Sequence, residues 1–325
     1  MKISKRLTAA LLCLSTYYPA VALSLSANEE NAKAEGIKRF NQLRLATPYL
    51  QIAADTGDAE SQFYLAEQLS TLAQYVTPEA ERWYLKSATQ GNLYAMAKLS
   101  TLASNNCVTL SACPDAKKQS EEWKQQAIKV AVKKASERDS ESMYVMYSLT
   151  GDLDWLTQSA NAGNAKSLWL LASKIREGRG FFISQSSRDK KIHSLMEQSA
   201  LRGYPKGMMG YAAILQESGD SAGFRLWAER AAEAGYIPSV YGVGYGYAHE
   251  PDSFGFPYDP IKGYALLSTL LQLDGGGGTK ALAQETIAAV QKKMTPEQIE
   301  QSRSYAAHWS ATHAPLSYYN DPLGY

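Results

Sequence analysis

Long apolar runs are missing from this 325-residue chain once its N-terminal segment is passed, and so is any surplus of charge. The 33 basic and 32 acidic side chains give a formal net charge of +1. Without a long apolar run, no later segment can cross a bilayer as a helix. Without surplus Lys and Arg there is no electrostatic case for nucleic acid, whose partners neutralise many phosphates. Histidine is scarce: His193, His249, His308 and His313 are the whole set. Only the last two are close, and a spacing of five does not place them on one helical face, so no zinc site assembles from them. Strand-like alternation is also missing, which leaves no pattern for a sheet. Phenylalanine is rare at 7 residues, yet tyrosine reaches 21. Tyrosine covers contact area while keeping a polar tip, which suits either an exposed contact surface or the core of a repeat.

The N-terminal segment reads MKISKRLTAALLCLSTYYPAVALS. Lys2, Lys5 and Arg6 make a basic start, Leu7 to Leu14 is a short apolar run, and Ala20-Val21-Ala22 is a small-residue cleavage site. This is the pattern of a cleaved secretory signal over residues 1–22, leaving 23–325 as one mature unit, expected in the periplasm. A lipoprotein reading around Cys13 meets the bulky Leu12 where that cleavage needs a small residue. The mature part holds 30 basic and 32 acidic side chains, net −2. It keeps two cysteines, Cys107 and Cys113, in NNCVTLSACPD. In an oxidising compartment they form a disulfide; the alternative, a metal pair, has no neighbouring His or further Cys.

One phrase returns five times: AADTG ending at Gly57, SATQG at Gly91, SANAG at Gly163, SALRG at Gly203 and AAEAG at Gly235. Three residues before each Gly stands Ala (Ala54, Ala88, Ala160, Ala200, Ala232). Four before it stands Ala or Ser (Ala53, Ser87, Ser159, Ser199, Ala231). Four after it stands another small residue (Ser61, Ala95, Ser167, Gly207, Ser239), and three of the five carry Trp eight before (Trp83, Trp155, Trp227). An active site is not repeated five times, but a packing surface is. The phrase predicts a helix that ends at Gly, where a left-handed residue without Cβ closes it, followed at once by a second helix. Small residues at −4, −3 and +4 let the two backbones approach, and Trp fills the gap between neighbouring hairpins. No hairpin buries its apolar face alone, so the units must stack. The Gly spacings are 34, 72, 40 and 32; the 72 hides a degenerate unit in KASERDSESMYVMYSL, with Arg138 in the Gly place, Ala135 at −3 and Ser142 at +4. A further helix over 263–273 and a DGGGG break follow. Two closing helices come next, the second opened by a Thr295/Gln298 capping box.

On these residues the chain resembles the Sel1-like repeat (SLR) family, relatives of the tetratricopeptide repeats. The match rests on AA-x-x-G-x-x-x-A with its preceding Trp. It rests also on the loop G-x-G…D-x-x-K, seen in GRGFFISQSSRDKK and GYGYAHEPDSFGFPYDPIKGYALL with Asp189 and Asp259 in the Asp place. The resemblance spans about residues 46–273. It implies an all-α, right-handed α/α superhelix of stacked hairpins, with helices and tail at 279–325 capping its end. It also implies a protein-binding role without enzymatic activity or cofactor. Exported relatives include envelope adaptors and immunity proteins against secreted toxins, lipases among them; a few are linked to β-lactams.

Three loops are enlarged, at 105–115, 178–187 and 249–260. Insertions in repeat proteins gather on one edge, which is often the binding edge. Two of these loops carry Phe181, Phe182, Phe254, Phe256 and Tyr258, either as partner-binding anchors or folded back as lids. The tail HAPLSYYNDPLGY either frays or docks along the stack, with Leu316, Tyr318, Tyr319 and Leu323 as its anchors. Two sequences imitate catalytic motifs. GDSAG matches the G-x-S-x-G elbow around Ser221, but Ser221 lies between two predicted helices, where the elbow's strand-to-helix turn cannot form. SRDK offers Ser187 in an S-x-x-K pattern, without the partner motifs. YGVGYGY imitates a phosphate loop with no preceding strand, and its Gly242 and Gly246 suit close helix packing instead. The expectation is therefore a periplasmic protein-binding solenoid. Its most specific form is an immunity-type inhibitor of a secreted antibacterial effector such as a phospholipase. The alternatives are an envelope scaffold and, last, an ester- or β-lactam-hydrolysing enzyme.

Overall fold

The computed structural model describes residues 25–102, 114–249, 254–274 and 276–324. Among them lie sixteen α-helices and no strand. Helix α1 (Ala27–Asn41), which carries no copy of the repeated phrase, opens with a Ser26/Glu29 capping box. Six hairpins follow: α2 (Thr47–Asp55) with α3 (Ala59–Ala73), α4 (Pro78–Thr89) with α5 (Leu93–Leu99), α6 (Pro114–Ser136) with α7 (Ser140–Thr150), α8 (Leu153–Asn161) with α9 (Ala165–Arg176), α10 (Gln185–Leu201) with α11 (Pro205–Glu217), and α12 (Ser221–Glu233) with α13 (Ile237–Ala248). Then come α14 (Pro260–Thr269) with a 3-10 turn at Leu270–Gln272, α15 (Thr279–Gln291) and α16 (Pro296–Thr312). The chain is an all-α stack of helix hairpins, the architecture the repeated phrase demands.

Each junction is built alike. Gly57, Gly91, Gly163, Gly203 and Gly235 have φ between +80° and +102°, and Arg138 takes the same left-handed turn at +66°. The turn residue donates its N–H to the carbonyl three back, and the next residue donates to the one five back, as Gly91 to Ala88 and Asn92 to Ser87. Two carbonyls left over at the helix end are thereby satisfied. The small residues at −4 and +4 are buried and face each other: Ser159 and Ser167 Oγ lie 2.7 Å apart. A Cβ on Gly207 would run into Ser199.

The −4 serines also tie each unit to the one before. Ser87 Oγ donates to Ala59 O, Ser159 Oγ to Ser140 O and Ser199 Oγ to Ala165 O, each at 2.6 Å. The acceptor is each time the first residue of the preceding second helix. Ser159 spends its one proton on that carbonyl, so Ser167 is the donor in the pair they share. Trp83 is buried at −8 with Trp155 half-buried against the same core, and Trp227 is buried in a separate cluster.

Several neighbouring second helices touch, α5 with α7, α9 with α11 and α13 with α15, whereas the first helices of the six hairpins make no such close contact with one another. The second helices therefore line the inner side of a curved stack. The curve is tight enough for the two ends to meet. Arg44 Nε, after α1, lies 3.6 Å from Asp274 Oδ2, before α15, and Asn41 O accepts from the Tyr318 N–H at 2.8 Å. The two residues in the Asp place of the loop pattern take different positions at the helix starts. Asp259 does cap α14, accepting from Lys262 N, but Asp189 lies a turn inside α10. Ser184 caps that helix, because its hydroxyl pairs with Ser187 in a capping box.

Candidate partner-binding surface

The aromatic residues of the enlarged loops part company in the structure. Phe181 is 91% exposed beside Ile183 at 94%. Phe182 is half-buried and packs toward the core with Arg188 over its ring at 5.5 Å. Phe254 is 59% exposed and takes a left-handed turn at φ +53°. Phe256 is a core residue, 2% exposed, so it is not presented to a partner. The reason is Gly246: a Cβ there would come within 2.6 Å of the Phe256 ring, and its absence opens a seat between Tyr247 and Phe224. Tyr258 is half-buried. Cys107 and Cys113 lie outside the described residues, as do residues 1–24.

Next to Phe254, α13 presents a row that the loops do not foretell. Tyr241 and Tyr245 stack at 6.2 Å, and the His249 ring stands 5.1 Å beyond Tyr245. The spacing of four puts Tyr241 and Tyr245 on one face of the helix, and His249 follows just past its end; the two tyrosines are half-buried, while His249 and Gly242 are exposed. A cavity lies on either side. One, about 400 Å³, separates α13 from α15 and is bordered by Glu285, Thr286 and Lys293. The other, about 320 Å³, separates α11 from α13 and is lined by Met209, Phe224 and Phe254. The cavity towards α11 is mainly apolar, and the one towards α15 carries an acid and a base at its rim. The sequence signal was the YxxxY spacing inside YGVGYGY, read there only for its glycines; Gly246 does serve packing, while Gly242 serves exposure.

The inner side holds the tail. After α16 the chain turns back over the starts of the second helices. Ser317 N donates to Gly235 O at 2.8 Å and Ile237 N to Ser317 O at 3.0 Å, a single parallel β-bridge with Tyr236. Leu316 is buried in the C-terminal core. The Tyr318 hydroxyl pairs with Thr279 Oγ at 2.9 Å and donates to Gly276 O. Tyr319 donates to Ala234 O at 2.7 Å and packs edge-on against Tyr236. Asp321, its side chain 2% exposed, meets Lys166 Nζ at 3.1 Å, and Leu323 packs against the first core. Lys166 is a hub: it reaches Glu141 at 2.9 Å and the Tyr94 hydroxyl at 3.1 Å, and lies 3.7 Å above the Tyr144 ring. Burial pushes the Tyr204 hydroxyl far above its ordinary range, with Asp321 adding to it, and likewise raises Tyr236 and Tyr319. Burial lowers Lys206, against the opposing pull of Asp321. All four tail anchors expected from the sequence are engaged.

The catalytic look-alikes have structural explanations. Ser221 is the exposed first residue of α12, in a short helix-to-helix turn capped by Asp220. Ser187 spends its hydroxyl in the α10 capping box, donating to Ser184 O at 2.7 Å. Among the described residues no group of three or more His, Cys, Asp and Glu could hold a metal, and no helix is long and apolar enough to cross a membrane.

No family model matches the chain, and no curated protein matches it. Among solved structures it is similar to c5321, a protective antigen present in uropathogenic Escherichia coli strains displaying an SLR fold. That similarity has 19% identity and a TM-score of 0.47, over 89% of this chain and 62% of that one. This chain thus spans about three-fifths of that protein's length. It is also similar to a Sel1 repeat protein from Oxalobacter formigenes, with 18% identity and a TM-score of 0.43 over 87% and 86% of the two chains.

Proposed function

We propose that this chain is a protein-binding helical-repeat scaffold and that, more specifically, it is an exported inhibitor of a secreted antibacterial effector of the lipase type. The observation that carries the binding role is the half-buried Tyr241–Tyr245 stack with exposed His249 beyond it, a cavity on each flank and exposed Phe254 at its edge. Aromatic side chains that are already stacked lose little freedom when a partner covers them. The inhibitor role draws on the secretory pattern of residues 1–22 and on the Sel1-like resemblance. Its mechanism is steric: the aromatic row and the Phe181 loop would cover the mouth of the effector's active site.

The test is periplasmic co-expression with the product of the neighbouring gene. The expected result is rescued growth and a co-purifying complex, both lost in a Tyr241→Ala/Tyr245→Ala chain that keeps its helical circular dichroism. If the wild-type chain neither rescues growth nor co-purifies, the inhibitor role is wrong. A multi-protein pull-down without protection would replace it with an envelope scaffold.

A further inference from the structure

The tail lies on the inner side of the stack as a ligand lies in a site. It is held by main-chain bonds at Gly235 and Ile237 and again at Asn41, and its side chains enter separate seats. Main-chain pairing with sockets for alternating side chains is how sheet edges and grooves capture peptides. The seats belong to the stack: Gly235 O and Ile237 N–H for the backbone, Ala234 O with the Tyr236 ring for one tyrosine, and Lys166 for the acid. The charges are complementary, because Asp321 is the only charged side chain over 314–324 and it is received by Lys166, with Lys206 close enough to feel it.

The fit is also incomplete. Tyr319 is held at φ +50°, a left-handed conformation that costs free energy in any residue with a Cβ. A cavity of about 440 Å³ remains between the tail, α1 and the Lys166–Tyr204 wall. A ligand that strains its own backbone and leaves space beside it can be bettered.

We propose that this inner groove is a binding site for an extended protein segment that carries an aromatic pair followed two residues later by an acidic side chain. The chain's own tail is the resident competitor. The groove shares no lining residue with the two cavities beside Tyr241 and Tyr245, so the proposal goes beyond the function above and is tested separately from it.

The probe is a fluorescein-labelled peptide with the sequence of residues 313–324, titrated into full-length chains and read by anisotropy. In one chain the tail is released by Ser317→Pro, which removes the N–H given to Gly235 O, together with Asp321→Lys, which sets a like charge against Lys166. The released chain is expected to bind the peptide saturably, at least tenfold more tightly than the wild-type chain. A peptide carrying Asp321→Lys is expected to bind it at least tenfold more weakly than the unaltered peptide. A released chain that keeps its helical content and cooperative melt yet binds nothing overturns the proposal, and so does indifference to the peptide's acid. Wild-type dimers with exchanged tails, seen by light scattering, would make a second copy the occupant and overturn the foreign segment. If the released chain does not fold, hydrogen exchange on the wild type decides. Ile237 and Ser317 amides exchanging at least a hundredfold faster than mid-helix amides of α9 support a displaceable tail. Equal protection means that the tail leaves only on global unfolding, and refutes it.

Discussion

The four hairpin junctions nearest the N-terminus and the two nearest the C-terminus turn the backbone in one way and finish it with different chemistry. After the left-handed residue the first four place Asp58, Asn92, Asp139 and Asn164, and each side chain accepts an N–H of the second helix. The last two place Tyr204 and Tyr236, neither of which caps its helix, and Pro205 and Pro238 enter the first turns. A capped start is closed, because a polar side chain covers the free donors. A tyrosine leaves the start open and adds an aromatic wall; the tail lies against both of these walls before its acid reaches Lys166 at the last capped start. One residue after the turn thus decides whether the helix start is capped by its own side chain or left to the tail's main chain, and the turn itself does not change.

The comparison breaks most visibly at Lys166, which sits at the last capped junction and holds the tail's acid. Lys166→Met strands Asp321, whose side chain is 2% exposed, without its ion partner. Removing one partner of a buried pair costs about 3 kcal/mol or more, seen as a lower urea midpoint. Asn164→Ala at the same junction removes a cap and a part-exposed bond to Glu141, for about 1 kcal/mol. Adding Asp321→Asn to Lys166→Met is expected to recover most of the loss. If the two single variants are equally damaging, the tail's ion pair contributes nothing and the open junctions are not held by it.

A pair of glycine variants sharpens the same contrast. Gly91→Ala, at φ +92° with nothing within 4 Å of the new Cβ, carries only the left-handed penalty of about 1–2 kcal/mol. Gly235→Ala at φ +80° carries that penalty and also pushes its Cβ into the Pro315 and Ala314 carbonyls. Its excess cost over Gly91→Ala is expected at about 1–2 kcal/mol, since overpacking a close contact has that order. Faster exchange of the Ile237 amide is expected with it. Equal costs would mean that the tail adapts freely at this junction.

The junctions were legible because their chemistry is local. Gly, Ala and Ser at fixed offsets state a left-handed turn and a close crossing within ten residues of sequence, and the register even exposes Arg138 as a turn residue at φ +66°. The tail's anchors were legible as a cluster of apolar side chains, but not its path, which is set by groups far away such as Gly235, Thr279 and Lys166. Phe256 illustrates the limit of composition: an aromatic beside Gly and Pro in a loop looks like an anchor until Gly246, on another element, opens a seat beneath it. Tyr241 and Tyr245 were hidden by the glycines between them. Helix α1 was not foreseen, because it repeats nothing; its buried residues are Ala32 and Gly36, too few for an apolar stripe.

The smallest effects test whether the −4 and +4 positions act as pairs. At the Gly163 junction, Ser167 donates to Ser159 and Ser159 to Ser140 O, so Ser159→Ala removes one bond between units and leaves the Ser167 hydroxyl buried without an acceptor. A cost of about 1–2 kcal/mol follows. At the Gly235 junction the −4 residue is Ala231, and the buried Ser239 hydroxyl opposite has no hydrogen-bond partner among the described residues. Ser239→Ala is therefore expected to be neutral or to stabilise by up to about 1 kcal/mol, since an unpaired buried hydroxyl is returned to water only on unfolding. Ala231→Ser would supply the missing acceptor and reverse the sign of Ser239→Ala in its background, a coupling that a double-mutant cycle on urea midpoints measures directly. Additive single effects would show that the two small residues were selected for volume alone, and the serine chain through the middle of the stack would then be a by-product of close packing rather than a link between units.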